Sequence, residues 1–327
     1  MKTKQVNWML LFNFIVHVIT MIGVTIYAQN HSIGLKVNMM LGQLSIVIPA
    51  LGLLIWFFCT RKEGEESLTQ RLGFHKVKGA TPVMAVVYAF LMMPLTTLVN
   101  AVSMLFVDNT VEQMSGDILS QPFFVSLFLI AVVPAFNEEL VFRGMVYGGY
   151  RKTGRIWPAI FLSALAFGLM HMNINQALYA FVLGVAMAAL YEAAGSIWAT
   201  MLFHFTVNAW SCVMMYVADK LLPGLFEEEA AAVPTAGELQ MAIAVYFVIA
   251  AVTTPIAVCV LYWIAKKNGR EDFLSAVKKE NRQLPAEDGS MEPLKKKEKI
   301  VTVPFVLFTV LTLGLMIFQE VIIYLAK

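Results

Sequence analysis

Nine apolar stretches follow one another along this chain, each close to or beyond the roughly 20 residues that carry a helix across the hydrocarbon of a bilayer. They run from Asn7 to Tyr27, Asn38 to Cys59, Thr81 to Phe106, Pro122 to Gly144, Ile156 to Met172, Gln176 to Tyr191, Ser196 to Ala218, Leu239 to Ala265 and Ile300 to Leu325. With 59% of residues hydrophobic and 14% charged, against roughly 25% charged in soluble domains, the composition excludes a soluble globular fold. The expectation is an all-α, polytopic transmembrane helical bundle. Connections around the sixth stretch are very short, which makes that stretch the candidate for a re-entrant or strongly tilted element and leaves eight or nine spans.

Charge placement sets an orientation. Lys2 and Lys4 precede the first stretch, Arg61, Lys62, Arg71, Lys76 and Lys78 follow the second, and Arg151, Lys152 and Arg155 follow the fourth. Ten more basic residues, from Lys266 to Lys299, follow the eighth. If all nine stretches cross, these loops share one side, and the positive-inside rule makes it the cytoplasm. The opposite loop from Val107 to Gln121 holds Asp108, Glu112 and Asp117 and no basic residue. A multi-pass protein of the cell membrane is expected, N-terminus inside and C-terminus outside. Its first stretch is longer than the apolar part of a signal peptide and Ile26 to Ala28 make a poor cleavage site, so it is expected to be retained.

Several features read as ordinary. The segment from Lys266 to Lys299 mixes ten basic with seven acidic residues and carries Pro285 and Gly289, as a solvated loop does; Lys295, Lys296 and Lys297 are its candidate lipid-headgroup contact. Glu227, Glu228 and Glu229, near Pro223 and Pro234, read as solvated. Cys59, Cys212 and Cys259 are unpaired in sequence and read as small core residues. Glu192 and Glu320 read as interfacial, His31 and His75 as loop residues, and Asn13 with His17 as interhelical packing. The sequence carries no nucleic-acid motif, phosphate loop or internal repeat.

Ionisable side chains within apolar stretches are costly and face a bundle interior or a wet cavity, so they carry the functional argument. Three clusters qualify. In Asn137-Glu138-Glu139-Leu140-Val141-Phe142-Arg143, the i, i+4 spacing lets Glu139 pair with Arg143, while Glu138 points about 100° away and stays free to act as a general base. The bland alternative is a charged helix end. Phe167 and His171 lie one turn apart among the small residues Ser163, Ala164, Ala166 and Gly168, where a packed histidine is the alternative. His204 and Asn208, again at i, i+4, can donate two hydrogen bonds toward one point, as an oxyanion requires; helix-to-helix glue is the alternative.

Glu138-Glu139-x-x-x-Arg143, Phe167-x-x-x-His171 and His204-x-x-x-Asn208 together resemble the three signature motifs of the CAAX prenyl endopeptidase and bacteriocin-processing family, also called the abortive-infection (ABI) family. The resemblance covers roughly Pro122 to Ala218, a catalytic core of four helices (122–218) between N-terminal helices (1–121) and C-terminal helices with the charged cytoplasmic loop 266–299 (219–327). It implies an intramembrane endopeptidase of the glutamate type, with a cavity opening inside the bilayer. Glu138 would activate a water, His171 would assist or position it, His204 and Asn208 would stabilise the oxyanion, and Glu139 with Arg143 would orient the site. The substrate would be a membrane-associated peptide or a lipidated protein, with the lipid bilayer as surroundings and no nucleic acid.

A cofactor is not required by this reading, although one carboxylate and two histidines, Glu138, His171 and His204, are a conceivable zinc or other divalent set. The stronger zinc signal, HExxH, is not in the sequence. Two other classes compete: a non-catalytic immunity or scaffold protein of the same fold, and a proton-coupled transporter using Glu138 and His204 as relays. One expectation conflicts with the resemblance. Upright spans put Glu138 near the cytoplasmic end of the fourth stretch and His171 near the outer end of the fifth, more than about 10 Å apart in depth. A break or tilt must bring them together, and Pro134 is the expected kink.

Overall fold

The computed structural model describes residues 2–31, 33–60, 67–107, 115–221, 235–272 and 298–326. The loop carboxylates Asp108, Glu112 and Glu227 to Glu229, the basic Arg61, Lys62 and Lys295 to Lys297, and Pro223, Pro234, Pro285 and Gly289 lie outside the described residues.

Every described element is helical: α1 (Thr3–Ala28), α2 (Leu35–Thr60), α3 (Leu68–Arg71), α4 (Thr81–Ser103), α5 (Ser115–Leu119), α6 (Phe123–Arg151), α7 (Ile156–Leu169), α8 (Ile174–Ala194), α9 (Ile197–Leu221), α10 (Ala236–Lys267) and α11 (Val303–Ala326). Eight of them are long and apolar enough to cross a membrane. The protein is therefore a polytopic helical bundle. The short element is the fifth stretch and not the sixth: α7 has 14 residues, about 21 Å of rise, whereas α8 has 21 residues, about 31 Å. Between them the chain reverses at Met172, which takes the left-handed conformation (φ 55°), and Asn173 caps α8 by accepting the Gln176 N–H at 2.9 Å.

The centre of the bundle follows from small side chains. Ala and Gly recur along α8, and 67% of its membrane-length window is buried, against 11% for α10 and 17% for α11. A Cβ on Gly184 would lie 2.9 Å from the Ala164 backbone of α7, and one on Gly168 would lie 2.6 Å from the Ala177 carbonyl of α8. These glycines set how closely α7 and α8 approach.

Contacts at the helix termini define one end of the bundle. There the Thr3 N–H donates to Glu298 at 3.2 Å, Tyr150 donates to Asn7, Asn268 donates to Thr81 at 3.1 Å, and the Ile197 N–H donates to the Gly73 carbonyl at 2.9 Å. Arg71, Lys76, Lys78, Arg151, Lys152, Arg155, Lys266, Lys267, Arg270 and Lys299 collect at this end; among the described residues Lys36 and Lys220 fall at the other.

Three expectations need correction. Glu192 is not interfacial: its side chain is buried, and it accepts from Arg151 Nε at 2.6 Å, Arg270 Nη2 at 3.2 Å and Tyr147 Oη at 2.7 Å, clasping the ends of α6, α8 and α10 together. Of the cysteines, Cys212 is buried but Cys59 and Cys259 lie exposed on the outside of the bundle. The fourth span does not end at Gly144 but runs on to Arg151, 29 residues in all, because Tyr147 and Tyr150 are buried as fully as their apolar neighbours. His17 meets Ser45 at 2.7 Å, in keeping with packing between α1 and α2, and Glu320 is half-buried late in α11.

Replacing Gly184 by Val should push α7 from α8 and cost about 1–3 kcal/mol, read as a lower unfolding temperature of the purified protein in detergent.

Candidate functional site

The site begins with an interruption in α6. An α-helix would pair the Ile130 carbonyl with the N–H four residues on, but that residue is Pro134, which has none. The helix widens into a π segment over Phe128–Val132, returns to α over Val133–Glu139, and widens again over Leu140–Tyr147. Such π turns concentrate at functional sites. Asn208 on α9 donates its Nδ2–H to the Ile130 carbonyl at 3.0 Å and so satisfies the group that Pro134 leaves without an α-helical partner.

The extension of α6 resolves the conflict in depth. Glu138 stands near the middle of the Phe123–Arg151 span rather than at its cytoplasmic end. It lies 13 residues, about 20 Å, from Arg151, while His171 lies 15 residues, about 22 Å, from Ile156 at the same end of the bundle.

Glu139 is fully buried, and its Oε1 accepts two hydrogen bonds, from Arg143 Nη1 at 2.8 Å and from His204 Nδ1 at 3.1 Å. Arg143, 2% exposed, also donates to the Gly184 carbonyl of α8 at 3.3 Å and lies 4.5 Å over the Phe167 ring. Phe167 is the common neighbour: Phe142, His171 and His204 pack edge-on against it at 5.1, 4.9 and 5.9 Å between centroids. The expected Glu139–Arg143 pair is thus formed, and it is a buried structural pair, not a charged helix end.

Glu138 is used differently. Its Oε1 accepts from Gln43 Nε2 at 2.9 Å, and its Oε2 lies 3.9 Å from His204 Nε2, too long for a direct hydrogen bond. Since Nδ1 of His204 faces a carboxylate, that nitrogen is the one assigned the proton; neutral His204 then presents a lone pair at Nε2, and imidazolium presents an N–H there. His171 shares its Nδ1 with the Phe167 carbonyl at 2.9 Å, which assigns the proton to Nδ1 and leaves Nε2 as the free nitrogen.

Glu138, Glu139, Arg143 and His204 are therefore brought together. His171 reaches them through the Phe167 ring, and no described contact joins it to Glu138. Asn208, one turn from His204, has one amide N–H committed to Ile130 and one left. Gln43 is the addition that sequence reasoning missed. It is an uncharged residue in an apolar stretch far from the motifs, and a search for ionisable groups passes over it; a polar amide in mid-span was the available signal. The divalent set Glu138, His171 and His204 does not fit: among the described residues no three His, Cys, Asp or Glu side chains are grouped to hold a metal ion.

These residues also carry the likeness to known proteins. Residues 120–210 match the model of the Rce1-like family, described as type II CAAX prenyl endopeptidase Rce1-like. That segment belongs to the CAAX prenyl endopeptidase family. A curated relative, "Putative membrane peptidase YdiL" of Bacillus subtilis (strain 168), is 26% identical over 89 residues, 27% of this chain. The chain spans 36% of that relative's length. No solved structure matches the chain.

Removing Arg143 should leave Glu139 buried with one cation fewer. Arg143→Ala is expected to cost about 3–5 kcal/mol, seen as loss of folded protein on size-exclusion chromatography, and Arg143→Lys should recover only part of it because an ammonium cannot both fork to Glu139 and Gly184 and lie flat on Phe167.

Proposed function

We propose that this protein is an intramembrane endopeptidase that cuts a peptide bond of a membrane-associated peptide or lipidated protein, with Glu138 as the base. The observation that carries the reading is the division of labour between adjacent carboxylates: Glu139 is consumed by Arg143 and His204, while Glu138 keeps one oxygen 3.9 Å from His204 Nε2. Two atoms hydrogen-bonded to one water at about 2.8 Å stand about 4–4.6 Å apart, so this spacing suits a water held by both. The family match over 120–210 supports the same reading.

In the proposed reaction Glu138 Oε2 takes a proton as the water oxygen attacks the scissile carbonyl carbon. The tetrahedral oxyanion is met by imidazolium His204 Nε2–H and by the remaining Asn208 N–H, a water-poor setting in which such donors are worth more than in solution. Glu138 then returns the proton to the departing amine as the C–N bond breaks. Glu139 keeps His204 in the required tautomer, the role a buried carboxylate plays in a catalytic triad. His171, through Phe167 and its free Nε2, is assigned the support of this arrangement. No step is routed through a metal.

The decisive comparison is wild type against Glu138→Gln in proteoliposomes and in the native host, with membrane peptides read by mass spectrometry and protein abundance held equal. A defined product should fall by about 10²–10⁴-fold. Undiminished production would leave the non-catalytic immunity or scaffold reading in its place.

The basic end of the bundle is proposed to face the cytoplasm, which places the N-terminus inside. Single cysteines introduced at Lys76 and at Asn30 should then separate in whole-cell labelling with a membrane-impermeant maleimide: Asn30→Cys reacts from outside and Lys76→Cys only after lysis.

A further inference from the structure

We propose that Gln43 of α2 is a positioning residue for Glu138, which makes the α1–α2 hairpin a working part of the site; this rests on Glu138 being the base. Gln43 lies outside the 120–210 segment that carries the family match. Its Nε2 is 2.9 Å from Glu138 Oε1. A carboxylate only accepts, so the amide must turn its NH₂ end to Glu138.

The terminal torsion of a glutamate side chain is broad, and an untethered Glu138 would present either oxygen to His204. Tethering Oε1 leaves Oε2 as the oxygen that faces Nε2 at 3.9 Å. The tether is itself held. His17 on α1 meets Ser45 at 2.7 Å, and Ser45 donates to the Gly42 carbonyl at 2.6 Å, fixing α2 on both sides of Gln43.

Helix-to-helix glue is the competing account, and the other end of the amide argues against it. Gln43 Oε1 is buried with no hydrogen-bond partner, a cost that a methionine of the same length would avoid while packing α2 against α6 equally well. The donor end is the part whose presence needs a reason, and Glu138 is what it touches.

Two variants test this: Gln43→Met, which keeps length and removes the amide, and Gln43→Glu, which keeps shape and removes the NH₂. Infrared difference spectra of the full-length protein in liposomes, each protein minus its own Glu138→Gln counterpart, isolate the Glu138 carboxylate without any substrate. Both variants should displace its antisymmetric stretch from the wild-type position. With a quenched-fluorescent peptide made to the cleaved sequence found in the Glu138 comparison, kcat should fall about ten- to a hundred-fold while KM stays within about threefold. An unmoved carboxylate band with unchanged kcat, whatever happens to the unfolding temperature, would overturn the role of Gln43. If Glu138→Gln itself cleaves at the wild-type rate, the base assignment falls and this inference with it; loss of cleavage in Glu138→Gln beside normal Gln43 variants removes Gln43 alone.

Discussion

One carboxylate oxygen organises this molecule. Glu139 Oε1 receives both Arg143 and His204, and a charge held that far from water persists only when it is paired and hydrogen-bonded. Each partner brings a different part of the bundle. Arg143 ties α6 to the backbone of α8 at Gly184 and lies on Phe167 of α7, and His204 brings α9. Four helices are thereby fixed around a point that no helix could reach alone. Glu138, one residue away, inherits a rigid frame without spending its own charge on it.

A second ionic centre does similar work at one end. Glu192 gathers Arg151 and Arg270, from the ends of α6 and α10, and accepts the Tyr147 hydroxyl as well. The two centres lie at different depths on the same pair of helices, α6 and α8, so that pair is pinned twice while its length between the pins is filled by small residues. The arrangement sets the depth of Glu138 in the membrane by counting residues upward from Arg151.

Much of this could be read before any coordinates. Hydropathy marks the helices because a span must be apolar over its whole length, and i, i+4 spacing marks Glu139 with Arg143 and His204 with Asn208 because those positions share a helix face. What escaped was contact between elements distant in sequence. Arg151 and Arg270 lie 41 and 78 residues from Glu192, and nothing local to that glutamate announces them. Gln43 is 95 residues from Glu138 and uncharged. The true end of the fourth span was hidden because tyrosine and glycine lower hydropathy even where they are buried. Asn208 was legible as a functional position, but its contact with Ile130 follows from a missing N–H on Pro134, which only the folded helix makes visible.

The widened turns of α6 have a consequence for how this chain tolerates change. A π turn holds one residue more than an α turn, so it advances the phase of everything after it. Deleting any one residue between Phe128 and Val132 would leave hydropathy and span length almost untouched, yet it would turn the following side chains by about 100°. Glu138 would then lose its bearing on His204, and Glu139 its bearing on the bundle interior. Register in this stretch is thus a heritable property separate from composition, invisible to any measure that averages over a window, and the place where an innocuous-looking gap would silence the protein.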